Sequence, residues 1–576
     1  MIGPTHQREN LKRHLSRLYG AESTEHVLPR MEELLRAYSE KIPDPKRTGW
    51  DQRDLVLITY ADQIRSSEGA PLAALKDFLV DHQYHQRINT VHLLPFFPYT
   101  SDDGFSVVDY KQVDPNSGNW EDIHSLAEYF NLAFDMVANH CSQECDWFQK
   151  YLQEESPYKQ FFIDVDPQAD LSAVIRPRAL PLLTPFETPS GTKHVWTTFS
   201  PDQVDLNYGN PEVLLAMTDV LLFYVANGAR IIRLDAIAFL WKVIGTTCLH
   251  LEETHEVVKL MRTICQMVAP HVLLLTETNV PHVENISYFG EGDEAHMVYQ
   301  FSLPPLLYDA YLTEDATVLT DWMDRLYEIP DGTTYFNFTA SHDGIGVRPL
   351  EGLVPQDRLD RLVAATEERG GMVGMRTMPD GTQRPYELNI TYVDAMKSPS
   401  SDDEELHARR FLASQAIMLA MKGIPGIYFH SLVGTPNHTP GVEESGIPRR
   451  INRRKYERNE LEESLAHEGS AQQRIFAGYQ NLLDTRIQQS AFHPDGPSEV
   501  VHTEHPGILS FLRTSPEGDQ AILVLANMTG QHQSLKLENT QLQGLTFDLI
   551  SGQPKVLSQT VTLDPVEIVW LAEPVD

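Results

Sequence analysis

The sequence predicts an α/β protein: an eight-stranded β/α barrel of the TIM type, with inserted loop domains and a C-terminal antiparallel β-domain. Three observations carry this expectation. Eight short apolar segments recur from residue 55 onward, separated by stretches long enough to hold helices. Polar clusters fall where these segments end, as they do when catalytic groups gather at the C-terminal rim of a barrel. No glycine-rich phosphate loop follows the first segment, which argues against the competing doubly wound open sheet.

Taken in order, residues 1–50 read as a helical extension. Leu11, Leu15 and Leu18 share one helical face, Ser23 and Thr24 offer a cap for a second helix through Leu35, and Pro43 and Pro45 end it. The barrel's first part spans 51–140, with strands expected at Val56–Tyr60, Val91–Leu94 and Leu132–Val137. Residues 141–206 are too long for one loop and cluster prolines at 177, 181, 185 and 189, so a small inserted domain is expected there. The second barrel part, 207–340, holds Arg230–Leu234, Val272–Thr276, Met297–Phe301 and Tyr335–Thr339. A charged, Gly-containing excursion over 341–405 reads as a lid or substrate wall. The last barrel part, 406–494, contributes Gly426–His430, and 495–576 alternates in the manner of an antiparallel β-domain.

Composition narrows the function. The chain of 576 residues is 41% hydrophobic and 9% aromatic, enough for a large globular core. The formal charge of −35 argues against nucleic acid or an anionic membrane as partner, and suits a salt-adapted protein as well as an ordinary acidic enzyme. No run of eighteen apolar residues and no apolar leader is present, so a cytoplasmic protein is expected. Four cysteines are too few for a disulfide scaffold, and Cys141 and Cys145 lack a second pair for zinc. No metal or cofactor is expected.

The strand ends carry the chemistry. Strand three runs into Asp135, Asn139 and His140; strand four closes with Arg233 and Asp235; strand five reaches Glu277; strand seven reaches Ser341, His342 and Asp343. An Arg–Asp pair closing one strand is equally readable as a structural ion pair, because buried charge must pair or work. Three carboxylates from three strands with flanking histidines suit metal-assisted hydrolysis or glycosyl transfer. The histidines lack the spacing of metal ligands. Glycosyl transfer needs one carboxylate nucleophile and one protonated carboxylic acid, about 5–5.5 Å apart when configuration is retained.

From about residue 52 onward these motifs resemble the α-amylase clan, glycoside hydrolase family thirteen, in D-M-V-A-N-H, A-R-I-I-R-L-D-A, L-L-T-E-T-N, A-S-H-D-G and the auxiliary Q-V-D-L-N. The resemblance implies Asp235 as nucleophile, Glu277 as general acid/base and Asp343 as transition-state stabiliser. Arg233 would keep Asp235 ionised, and His140 and His342 would bond the sugar ring. A closer resemblance is to the sucrose phosphorylase subfamily, carried by L-P-F-F-P-Y-T-S-D-D-G-F, I-R-P-R-A-L-P, S-H-D-G-I-G and I-N-R. It implies that Asp102 (or Asp103, one place on) pairs with Arg453 to close the glucosyl pocket, with Phe105 and Phe199 as aromatic walls. It also implies that Arg178 and Tyr386 bind phosphate, with Arg176 as the alternative arginine. The expected partners are a small α-glucoside and inorganic phosphate, in a monomer or homodimer.

The sequence departs from sucrose phosphorylases in its N-terminal extension, in E-T-N-V-P-H after the acid/base, and in the loops V-R-P-L-E-G-L and R-P-Y-E-L-N. The pattern looks more like the glucosylglycerol and glucosylglycerate phosphorylases of the same subfamily. Arg348 and Arg384 are the free cations of these loops, and Glu351 and Glu387, three residues after each, are read as neutralising them. Glu387 then suits a neutral polyol. The expected substrate is 2-O-α-glucosylglycerol, then glucosylglycerate, then sucrose or sucrose 6-phosphate. A hydrolase or transglucosidase and a non-catalytic binding module are the readings from other classes.

Overall fold

The computed structural model describes residues 5–574 except 178–179, 327, 378–381, 399–400, 402, 538–541, 543 and 558. Eight parallel strands close into a barrel in chain order: β1 (Val56–Thr59), β2 (Thr90–Leu93), β3 (Asn131–Val137), β4 (Ala229–Asp235), β5 (Leu273–Thr276), β6 (Met297–Tyr299), β7 (Thr334–Phe338) and β8 (Ile424–Tyr428). All eight strands expected from the sequence are present, with ends shifted by a few residues. Their residues are almost all buried, which is why they read as continuous apolar runs rather than alternating ones.

Register decides what meets at the rim. On β3 and β4, Asp135 pairs with Arg233 and Val137 with Asp235; on β4 and β5, Leu234 pairs with Thr276. Asp135 and Arg233 therefore stand side by side, and Glu277 emerges one residue beyond the partner of Leu234.

The N-terminal helix α1 (Thr5–Ser39) is broken at Gly20, whose φ of 78° lies in the left-handed region that favours glycine. Leu11 and Leu15 are buried, and Leu18 packs at the edge of the same core. Thr24 does not cap the second arm. It lies one turn inside, and its hydroxyl donates to the Gly20 carbonyl at 2.7 Å. The arms pack on the helices Pro211–Ala226 and Glu252–Val268. Buried Glu256 meets His14 at 2.7 Å and Arg17 at 3.2 Å, and Tyr19 donates to the Tyr208 carbonyl.

After β3 the chain forms a short ladder of His140–Ser142 with Gln203–Asp205, the helix Asp146–Leu152 and a hairpin of Leu183–Thr188 with Gly191–Trp196. After β7 a three-stranded antiparallel sheet places Gln383–Asn389 between Ile345–Gly346 and Met372–Thr377. Both excursions hang over the same rim. The C-terminal part folds into a six-stranded and a three-stranded sheet, every pairing in them antiparallel. All four cysteines are free and buried, and no described helix is long and apolar enough to cross a membrane.

Candidate active site

A cavity of about 1070 Å³, its mouth included, opens at the C-terminal rim. Its floor is built on Arg233, almost fully buried. Its Nη1 bonds Asp135, donates to Asp235 Oδ1 at 2.8 Å, and its Nη2 lies 4.0 Å from Glu277 Oε2. Asp135 is held from its other side by His92 at 2.7 Å. Burial works against the Arg233 charge, but Asp135, with Asp235 and Glu277 behind it, outweighs burial and keeps the guanidinium protonated.

Just past β4, Ala236 adopts a left-handed φ of 51°, a strained conformation for a residue with a Cβ. The turn aims its N–H at Glu277 Oε2, 3.2 Å away. Burial lifts the Asp235–Glu277 pair above the ordinary carboxylate range, and Arg233 opposes the shift for both. Arg233 is much nearer Asp235, so a proton shared by the pair belongs on Glu277 and the negative charge on Asp235.

Asp343 is set differently. Arg449 Nη1 reaches its Oδ1 at 2.6 Å, His342 stands at 3.5 Å and Arg453 at 3.6 Å. Burial alone raises the Asp343 carboxyl, yet its neighbours, Arg449 foremost, hold it well below the usual range. The two histidines are neutral: burial pushes His140 down to about 4 and His342 down to about 3. His140 Nε2 bonds the Phe105 carbonyl at 3.0 Å, and His342 stacks on the Phe105 ring at 4.7 Å. Phe199 packs against His140 at 5.1 Å. Phe105, Phe199, His140 and His342 all line the cavity.

The charge pair beside the pocket involves both aspartates of the D-D-G turn. Asp103 is the nearer partner of Arg453, at 2.7 Å, whereas Asp102 Oδ1 lies 3.7 Å away and lines the cavity. Asp102 and Asp103 both have left-handed φ angles, and a Cβ on Gly104 would stand 2.5 Å from the Pro95 carbonyl oxygen. Only glycine allows the turn to pass so close, and the passage swings Asp103 toward Arg453.

The loop carboxylates do not play the parts read from sequence. Glu387, expected to face a neutral polyol, lines the cavity but is clasped there by Arg449 at 2.6 and 3.0 Å and accepts from the Gly344 N–H at 3.2 Å. Glu351 bonds Arg376 rather than Arg348, and Arg348 is met instead by Glu284 at 3.4 Å. Arg384 is exposed and does not line the cavity; Arg376 does, with Arg176, Arg348 and Arg449. Tyr386 lines it too, and Arg178 lies outside the described residues. Sequence reading missed Arg376, Arg449 and Asn279. The signal for Arg449 was the basic run R-R-I-N-R before Arg454; Arg376, in an irregular charged excursion, carried none. Asn139 and Asp205 both bond the buried Lys242 ammonium, at 2.6 and 2.7 Å, so a cation of the chain's own sits between them.

A family profile described as the alpha amylase catalytic domain matches residues 82–344, and one for the maltogenic amylase C-terminal domain matches 498–570. A glucosylglycerate phosphorylase of Allomeiothermus silvanus is 49% identical, over 98% of this chain and 99% of its own. A glucosylglycerol phosphorylase of Marinobacter adhaerens is 29% identical, over 78% of this chain and 90% of its own. Among solved structures, the sucrose 6F-phosphate phosphorylase from Thermoanaerobacter thermosaccharolyticum superposes with a TM-score of 0.72 at 25% identity, covering 83% of this chain and 94% of that one.

Proposed function

The chain belongs to the α-amylase family and is a glycosyltransferase of its glucoside phosphorylase type; from that premise we propose that its substrate is an α-glucoside of glycerate. Asp235 displaces glycerate from the anomeric carbon while Glu277 protonates the departing oxygen, leaving a β-glucosyl ester on Asp235. Phosphate then attacks from the vacated side, gives its proton to Glu277 and releases α-glucose 1-phosphate, restoring both carboxyl groups. Asp343, kept ionised by Arg449, faces the positive charge that develops on the sugar ring. The Asp103–Arg453 pair, with Asp102 beside it, closes the pocket beyond one glucosyl unit. Phosphate recognition falls to Arg178, or Arg176 in its place, with Tyr386.

One observation carries the acceptor. Arg176, Arg348 and Arg376 line the same cavity as the three carboxylates, and the carboxylate thought suited to a polyol is already held by Arg449. An anionic acceptor is the one such a wall favours. The likeness to a glucosylglycerate phosphorylase at 49% identity supports glycerate over glycerol, the acceptor of a relative at 29%. Phosphate release from glucose 1-phosphate with D-glycerate, glycerol and fructose at equal concentration tests the reading. Glycerate is expected to lead by more than tenfold in kcat/KM; equal or faster release with glycerol overturns it.

A further inference from the structure

We propose that Arg348 and Arg376 form the clamp that reads the acceptor's carboxylate, with Asn279 bonding a neighbouring hydroxyl. The inference rests on the glycerate reading and names the residues that would enforce it.

Sheet topology brings the two arginines together. In the three-stranded sheet after β7, Gly346 and Gly374 pair with the same residue, Glu387, from opposite sides. Arg348 and Arg376 each stand two residues beyond those glycines, Arg348 next to Val347, whose N–H donates to the Tyr386 carbonyl, and Arg376 opposite Arg384, so both come out at the same end of the sheet. Both line the cavity.

Each guanidinium is tethered at one corner. Arg348 Nη2 meets Glu284 at 3.4 Å, and Arg376 Nη2 meets Glu351. In each the Nε–H is buried and meets no acceptor among the described residues. Such unmet donors are rare in a folded interior, and a carboxylate entering the cavity relieves them by drawing the guanidinium fork round to face it. The tethering carboxylates keep the arginines beside the cavity without occupying that edge.

Asn279 completes the site. It follows the acid/base Glu277 by two residues, lines the cavity, and its Oδ1 is buried and meets no donor among the described residues. Its side chain lies against Gly346, where an added Cβ would come within 2.6 Å of it. The glycine that starts the path to Arg348 therefore also makes room for Asn279. A carboxylate held by two arginines and a hydroxyl held by an amide describe a short hydroxy acid rather than a polyol.

The test is the ratio of kcat/KM for D-glycerate to that for glycerol, with glucose 1-phosphate as donor, in the wild type, Arg348→Gln, Arg376→Gln and the double variant. Each single change is expected to lower the ratio at least tenfold and the double at least a hundredfold, with Arg348→Lys restoring part of it. Circular dichroism confirms that the variants are folded, and a residue that merely supports the loop would lower both rates alike. A ratio within twofold of wild type in every folded variant overturns the clamp. So does an equal rise in the KM for phosphate during phosphorolysis of enzymatically made glucosylglycerate, which would make the pair the phosphate site. A wild type that ignores glycerate fails the substrate reading itself, before any variant is compared.

Discussion

Replacing Arg449 with glutamine removes one cation from between two carboxylates, Asp343 at 2.6 Å and Glu387 at 2.6 and 3.0 Å. At an effective dielectric of 20, unit charges 4 Å apart attract by about 4 kcal/mol. The Arg449 side chain is 23% exposed, and that partial access to water reduces the figure to about 2 kcal/mol for Asp343. A loss of that size raises the Asp343 carboxyl by about 1.5 pH units, still beneath the Asp235–Glu277 pair that sets the acidic limb of kcat/KM, so the change is read from the Asp343 carboxyl itself. The direction follows from Asp343 being held low by Arg449 above its other neighbours. Stability falls as well, because the buried Glu387 side chain loses its main partner, and adding Glu387→Gln to the variant is expected to recover part of that loss. The assay is an isotope-edited infrared or carbon NMR titration of the Asp343 carboxyl in wild type and Arg449→Gln, paired with urea melts of the single and double variants. An unmoved Asp343 titration in a folded Arg449→Gln protein refutes the claim that this guanidinium sets the charge of Asp343.

Two further outcomes are expected. Asp235→Asn and Glu277→Gln should each lower turnover by about three orders of magnitude or more while leaving the fold intact; only the first should abolish the glucosyl-enzyme trapped by mass spectrometry, and turnover near wild type in either would sink the assignment. His140 and His342, held down to about 4 and about 3 in the fold, take up protons near pH 6.5 once the chain unfolds. The unfolded state therefore binds more protons as pH drops, and stability falls by about 2 kcal/mol per histidine between pH 7 and pH 5. Urea melts at the two pH values should show that loss, and His342→Gln should remove about half of the part due to this pair.

Much of the architecture was legible in the residues themselves. A strand covered on both faces must be apolar throughout, so the eight barrel strands announced themselves as short uninterrupted runs, and the polar residues that ended them marked the rim. Asp135, Arg233, Asp235 and Glu277 could be placed together because their partnership is set by strand register, which backbone pairing dictates. The loops obey no such period. Nothing in their order says that Glu351 reaches forward to Arg376, that Glu284 meets Arg348, or that Glu387 waits for Arg449 sixty-two residues on. Counting three residues from an arginine to a glutamate is sound on a helix, where such residues share a face; here those glutamates lie in a loop and in the central strand of a sheet. The sequence by itself determined the barrel, its rim and the convergence of three carboxylates there. Tertiary structure alone decided which glutamate holds which rim cation, because charge pairing between loops depends on distance in space and not on separation along the chain.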